Sequence, residues 1–255
     1  MKTMIYVLGL LFMSSTAYAQ SIDYKPAPVQ SIDNGQIITH QIIQYTQFAL
    51  SYNEKHEQPD WVAYVLTKDE ANAPGVRQGS FKTDPNVTTG SSNNKDYTGS
   101  GFARGHMSPA KDNSFSVDAN KESFYYSNSS PQLGKFNSDI WEDLESWVRK
   151  QAIEYDSVYV ATGPVFKNNL GAIGSNQVTV PGYYYKMIMR HDGSKYRTIA
   201  FLIPHLTPST EDFMDYIVPV NAIESITGID FFPGIPDREE TTAENSITKK
   251  YFTAQ

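Results

Sequence analysis

The sequence predicts an α+β fold, a mostly antiparallel central sheet flanked by helices, and three observations carry that expectation. Tyr45–Tyr52 and Trp61–Leu66 are rich in strand formers and stand either side of a polar loop, which reads as an antiparallel pair. Tyr183–Arg190 and Tyr196–Ile203 bracket His191-Asp192-Gly193-Ser194, and an Asp-Gly turn between two strand-like runs is a strong hairpin signal. Between these pairs, residues 138–153 repeat apolar side chains at helical spacing, placing Ile140, Trp141, Leu144, Val148 and Ala152 on one stripe.

From the start of the chain, residues 1–19 read as a secretory signal. Lys2 precedes an apolar run from Met4 to Met13, and Ala17-Tyr18-Ala19 supplies a small-x-small cleavage pattern before Gln20. Cleavage after Ala19 implies a secreted or periplasmic protein. No other stretch approaches the ~20 apolar residues that a membrane helix needs, so the mature form is expected to have no membrane partner. Residues 20–36 hold Pro26 and Pro28 without periodicity and read as a flexible leader, with a single domain expected over 37–236. Residues 68–100 are rich in Gly, Asn, Ser, Thr and Pro and read as loop, where sites are commonly built. Ser123–Ser127 reads as a short strand leading to Asn128, and Ser157–Thr162 as a buried strand ended by Gly163-Pro164. Phe213–Val218 and Ala222–Thr227 read as short segments on the sheet, the second ended by Gly228. Residues 237–255 are polar and read as a surface tail.

Composition narrows the function classes. With no cysteine, disulfides and thiolate metal sites are excluded. A net charge of −7 counts against a basic nucleic-acid coat protein, whose affinity would come from many phosphate contacts. No Gly-x-Ser-x-Gly or phosphate-cradling glycine motif occurs, and His191 and His205 have no companion ligands for a histidine metal cluster. Tyr183-Tyr184-Tyr185 reads as a half-core, half-surface strand and not as a base-stacking platform.

The stretch richest in chemistry is Gly101-Phe102-Ala103-Arg104-Gly105-His106-Met107-Ser108-Pro109-Ala110, read as a loop that presents a cation and an imidazole together. Phosphodiester cleavage needs a base for water and cations for the accumulating charge. His106 suits the base, being largely neutral at pH 7 with an ordinary histidine pKa of about 6.5. Arginine's fork matches two phosphate oxygens. Taken one at a time these residues have bland readings: His106 as an ordinary polar residue, Asn137 as a helix N-cap before Ser138-Asp139, Glu145 as an exposed helix acid, Arg77 and Arg104 as surface charges. On one continuous helix Glu145 would lean back toward Asn137, leaving a gap that a water could close.

Arg104-Gly105-His106-Met107-Ser108-Pro109-Ala110, together with Asn128-Ser129-Ser130-Pro131-Gln132 and Phe136-Asn137-Ser138-Asp139-Ile140-Trp141 through Glu145, resembles the DNA/RNA non-specific endonuclease family. The resemblance runs from about Tyr45 to Phe232 and closes with Gly228-Ile229-Asp230-Phe231-Phe232-Pro233. It implies a ββα-metal (His-Me finger) active site, DNA and RNA as substrates, and Mg2+ as cofactor, with Mn2+ as a substitute. It also implies His106 as general base, Asn137 as the direct metal ligand, Glu145 as the acid holding the metal's water shell, Asn128 as a supporting asparagine, and Arg77 and Arg104 as phosphate-facing arginines. The family pattern has an aspartate where this chain has Ala103, a position expected to communicate with His106. Two rival readings stay open: a binding protein on the same fold that has lost catalysis, and a phosphodiesterase restricted to small nucleotides, which the acidic charge suits.

Overall fold

Strands whose apolar residues occupy both alternating positions must be covered on both faces, and Trp61-Val62-Ala63-Tyr64 are all buried. The computed structural model describes residues 25–33, 36–208, 210–245 and 249–252; the signal expected over residues 1–19 lies outside them. In chain order the first elements are β1 (Gln30–Asp33), β2 (Gln36–Thr39), β3 (Gln41–Gln44), β4 (Phe48–Asn53) and β5 (Gln58–Thr67). Two single-turn helices follow, α1 (Lys68–Ala71) and α2 (Asn94–Tyr97), each opened by a reciprocal capping box, Thr67 with Glu70 and Asn93 with Asp96. The middle of the chain holds β6 (Phe102–His106), α3 (Val117–Ser123), β7 (Ser129–Leu133), α4 (Gly134–Ser138) and α5 (Ile140–Glu154). The rest supplies β8 (Ser157–Val165), β9 (Ala172–Ile173), β10 (Val178–Thr179), β11 (Tyr183–His191), β12 (Tyr196–Pro204), β13 (Ile217–Val218), α6 (Val220–Thr227) and α7 (Asp237–Glu244).

Seven strands form the central sheet in the order β13-β12-β11-β8-β5-β4-β3, every pairing antiparallel. The α+β expectation therefore holds. On one face Tyr64, Val160, Tyr184, Ile188 and Phe201 pack against Trp141, Leu144 and Val148 of α5, the stripe read from the sequence. The other face is smoother. Ala49, Ala63, Ala161, Met187 and Ala200 are register partners in a row across five strands, and the alanines leave room for Ile223, Phe231 and Phe232 to lie close against the sheet.

Several local expectations need correction. The leader contains β1, which pairs with β2, so Gln30–Asp33 are not irregular. Ser123–Ser127 is not a strand, because Ser116 caps α3 through Ala119 N and a 3₁₀ turn over Tyr126–Asn128 follows. β8 does not stop at Gly163-Pro164. Its pairing with β5 ends at Thr162, so Pro164 lies beyond that ladder and pairs only with β11, where a missing N–H is tolerated. Gly163 is needed there, since a Cβ would stand 2.4 Å from Asp60 O. The surface tail expected after Pro236 includes α7, and Phe252 is buried in the core under α5. Tyr184 and Tyr185 are both fully buried, one on each face, so that strand has no surface half.

Candidate active site

A two-stranded antiparallel ribbon, β6 with β7, runs directly into α4 and α5, giving a strand–strand–helix unit outside the main sheet. His106 is the last residue of β6 and not a loop residue as expected. Alternation along a strand puts Arg104 and His106 on one face of the ribbon and Ala103 and Gly105 on the other. Gly105 is required by close approach, because a Cβ would stand 2.0 Å from the Gln132 Oε1.

The His106 ring is walled by Phe81 and Phe124, both with centroids 4.9 Å away. Its Nε2 is buried with no hydrogen-bond partner, which leaves Nδ1 as the nitrogen that can meet water. Burial, and then the positive charge of Arg77, pushes the imidazole pKa down to about 4. Arg77 is exposed on a loop tethered by Val76 N to Ser114 O (2.9 Å) and by Gln78 N to the Asn120 Oδ1 (2.9 Å). Arg104 is held by donation to the Tyr126 hydroxyl (3.0 Å) and the Asn94 Oδ1 (2.6 Å), with Tyr97 5.5 Å from its guanidinium carbon. Arg77 thus acts on the imidazole by its charge, and Arg104 stands on the same ribbon face two residues before it.

Asn128 is fully buried, and its amide is spent on the backbone. Oδ1 accepts from Ser108 N (2.9 Å), while Nδ2 donates to Ser108 O (2.9 Å) and Ser123 O (2.8 Å). It fixes the chain just after His106, which makes it a positioning residue. Asn137 lies within α4, and the N-cap position of α5 is Asp139, so Asn137 does not cap α5. The break at Asp139 also puts Asn137 and Glu145 on different helices, contrary to the single helix expected. Asn137 is half-buried, and its side chain makes no hydrogen bond among the described residues. α4 packs against both ribbon strands.

Sequence reading missed the charged array beneath Glu145. Lys186, fully buried on β11, places Nζ 3.2 Å from the Thr162 hydroxyl, 3.5 Å from Met107 O and 4.7 Å from the Trp141 ring centroid. Arg149 pairs with Asp112 at 2.8 Å, both side chains nearly inaccessible, and Tyr64 donates its hydroxyl to the same carboxylate at 2.8 Å. Burial raises the Glu145 pKa and lowers that of Lys186, each opposed by the other's charge. The available signal was Lys186 itself, a lone charge inside the apolar run Tyr183–Met189. His205 was also undervalued. It is buried, accepts from Leu133 N at 2.8 Å and lies 2.9 Å from Pro181 O, fixing the junction of β7 with α4.

Residues 25–238 match the family profile described as DNA/RNA non-specific endonuclease. The chain belongs to that family. It is 34% identical to mitochondrial nuclease EXOG of Xenopus laevis over 214 residues, covering 77% of this chain and 59% of that protein. It is 35% identical to nuclease C1 of Cunninghamella echinulata var. echinulata over 201 residues, covering 72% of this chain and 80% of that one. The crystal structure of an EndoG/EndoGI complex, concerned with EndoG inhibition, superposes with a TM-score of 0.72 at 29% identity, covering 78% of this chain and 88% of that chain. The aligned stretch spans 56–62% of the vertebrate EXOG relatives.

Ala103, where the resemblance implies an aspartate, lies on the ribbon face away from His106. Ala103 sits directly across from Gln132, whose buried amide has neither polar atom bonded. Same-face cross-strand neighbours interact, so position 103 addresses Gln132 and not the imidazole. Ala103→Asp is therefore expected to raise the melting temperature or leave it unchanged, and to move the acid limb of the pH–rate profile by less than about 0.5 unit. A larger move would show that position 103 does reach His106.

Proposed function

We propose that this chain is an endonuclease that hydrolyses DNA and RNA phosphodiester bonds with little sequence preference, using a divalent metal ion, Mg2+ or Mn2+ in its place. One observation carries the reading: an imidazole with one nitrogen open feels the charge of Arg77 and shares a ribbon face with Arg104, and α4, packed on that ribbon, offers an uncommitted amide. In this scheme His106 Nδ1 takes the proton from the attacking water, and Arg104 and Arg77 hold the non-bridging oxygens of the phosphate. Phe81 and Phe124 keep the base unprotonated by excluding water from its inner edge.

The residues suit a hard, oxygen-preferring cation. Asn137 would supply a neutral oxygen ligand, Glu145 would hold the ion's water shell, and Lys186 would limit the negative charge around Glu145. When bound, the ion supplies positive charge for the oxygen that leaves. Asn137→Ala should raise the metal concentration for half-maximal activity by about tenfold or more, as loss of a metal-supporting group does. Its melting temperature should hold or rise, because alanine is favoured inside a helix. A variant that only melts earlier, with unchanged metal dependence, would remove Asn137 from the metal site.

Supercoiled plasmid, structured RNA and a dinucleotide, each incubated with Mg2+ and with chelator, test the activity. Nicking of both polymers that chelator stops is expected, and hydrolysis of the dinucleotide alone would favour a small-nucleotide phosphodiesterase. We also read the mature form as exported, on the strength of Lys2, the apolar run to Met13 and Ala17-Tyr18-Ala19. Several relatives carry "mitochondrial" in their names, while no helix among the described residues is long and apolar enough to cross a membrane. N-terminal sequencing of protein recovered from periplasm or medium should begin at Gln20; an intact Met1 would overturn the export reading.

A further inference from the structure

Across the sheet from His106, three separate segments bring carboxylates together. Glu224 lies on α6, Asp230 in the segment after Gly228, and Glu244 at the end of α7; each offers an oxygen, and these oxygens lie within 4.8 Å of one another. The segments are fixed independently. Gly228 adopts the left-handed conformation that ends α6, and its N–H donates to Glu224 O at 2.7 Å. Phe231 N donates to the Glu224 Oε1 at 2.9 Å, while Phe231 and Phe232 anchor the following chain in the core. α7 is held to β12 by the Thr198 hydroxyl on Ala243 O (2.5 Å), and the Asn221 side chain meets Asn245.

Glu244 is only 9% exposed, and its Oε1 has no hydrogen-bond partner. A carboxylate buried in this way, beside two others of the same sign, takes up a cation or a proton to offset the lost hydration. We propose that Glu224, Asp230 and Glu244 form a second metal site, for Ca2+, that ties α7 to α6 and to the Asp230 segment. An all-carboxylate set selects hard ions over zinc or copper. Ca2+ takes about six to eight oxygens in a flexible geometry, whereas Mg2+ demands a near-ideal octahedron and keeps several waters, so three carboxylates brought from three separate segments suit the larger ion. The site is separate from the proposed catalytic one, because α6 packs on the alanine-lined face and α5 on the opposite face. It does not depend on the activity proposed above.

The test uses the full mature chain stripped of metal, titrated with CaCl2 by calorimetry and melted with and without Ca2+. Asn137→Ala, which disables the proposed catalytic metal site, should still take up one Ca2+ and melt about 5 °C or more higher when Ca2+ is saturating. Glu244→Gln should lose that equivalent and that rise, while cleaving plasmid at saturating Mg2+ within about twofold of the unaltered chain. Asp230→Asn, at an exposed position, should behave in the same way and serves if Glu244→Gln folds poorly. Absence of a Ca2+-dependent rise in Asn137→Ala overturns the site, as does an undiminished rise in Glu244→Gln or Asp230→Asn.

Discussion

His106→Ala is expected to lower plasmid cleavage by about 10²- to 10⁴-fold, the range for removing a general base, while the protein still folds. Folding should survive because the ring is half-buried and its Nε2 is already without a partner, so truncation removes a cost along with the aromatic packing. The same burial has a consequence for stability. With the folded pKa down at about 4 and the unfolded value near 6.5, the unfolded chain takes up this proton first as pH falls. Native stability is therefore lost as pH falls between about 6.5 and 4, by at most roughly 3 kcal/mol from this residue. Melting curves at pH 7 and pH 5 should show a smaller loss in His106→Ala than in the unaltered chain. An equal loss would mean that the imidazole is not held neutral by the fold.

Asp112→Ala should be the most destabilising single change near the site. It strands Arg149, whose side chain is 7% exposed, and removes the acceptor of the Tyr64 hydroxyl. Breaking a buried pair from one side costs about 3–5 kcal/mol, which in a domain of this size lowers the melting temperature by roughly 10 °C. Activity should fall as well, since Arg149 and Glu145 share one electrostatic neighbourhood. Combining Asp112→Leu with Arg149→Met should recover most of the stability, because the cost lies in the orphaned charge and not in the loss of attraction. A single variant that melts within about 2 °C of the parent would show that water reaches Arg149 and that the array is not sealed.

What the sequence makes legible is local. Asp192-Gly193 announces the β11–β12 hairpin because the turn chemistry is self-contained: the Asp192 carboxylate accepts from Ser194 N and Lys195 N. The α5 stripe is equally readable, and Gly228 marks the end of α6. Ser123-Phe124-Tyr125-Tyr126-Ser127 misleads because its strand propensity is overridden by tertiary demand. Phe124 is required against His106 and Tyr126 against Arg104, and a helix end followed by a 3₁₀ turn delivers both. At the site, family resemblance named residues one by one, and the arrangement explains what several of them touch. Asn128 braces Ser108, and Ala103 faces Gln132. Of the array of Asp112, Arg149 and Lys186 only the lone charge of Lys186 shows in the sequence, since its members come from a loop, a helix and a strand that only the completed fold brings together.

The pH dependence of kcat/KM for plasmid cleavage at saturating Mg2+, measured beside His106→Ala, tests the central claim most directly. A buried neutral base beside Arg77 predicts that the unaltered chain keeps its rate well below pH 6 and loses it on a limb near pH 4, with the variant slow throughout. A limb at about pH 6.5 would contradict the lowered pKa of the buried imidazole, and a variant within tenfold of the parent at neutral pH would contradict the assignment of His106 as the base.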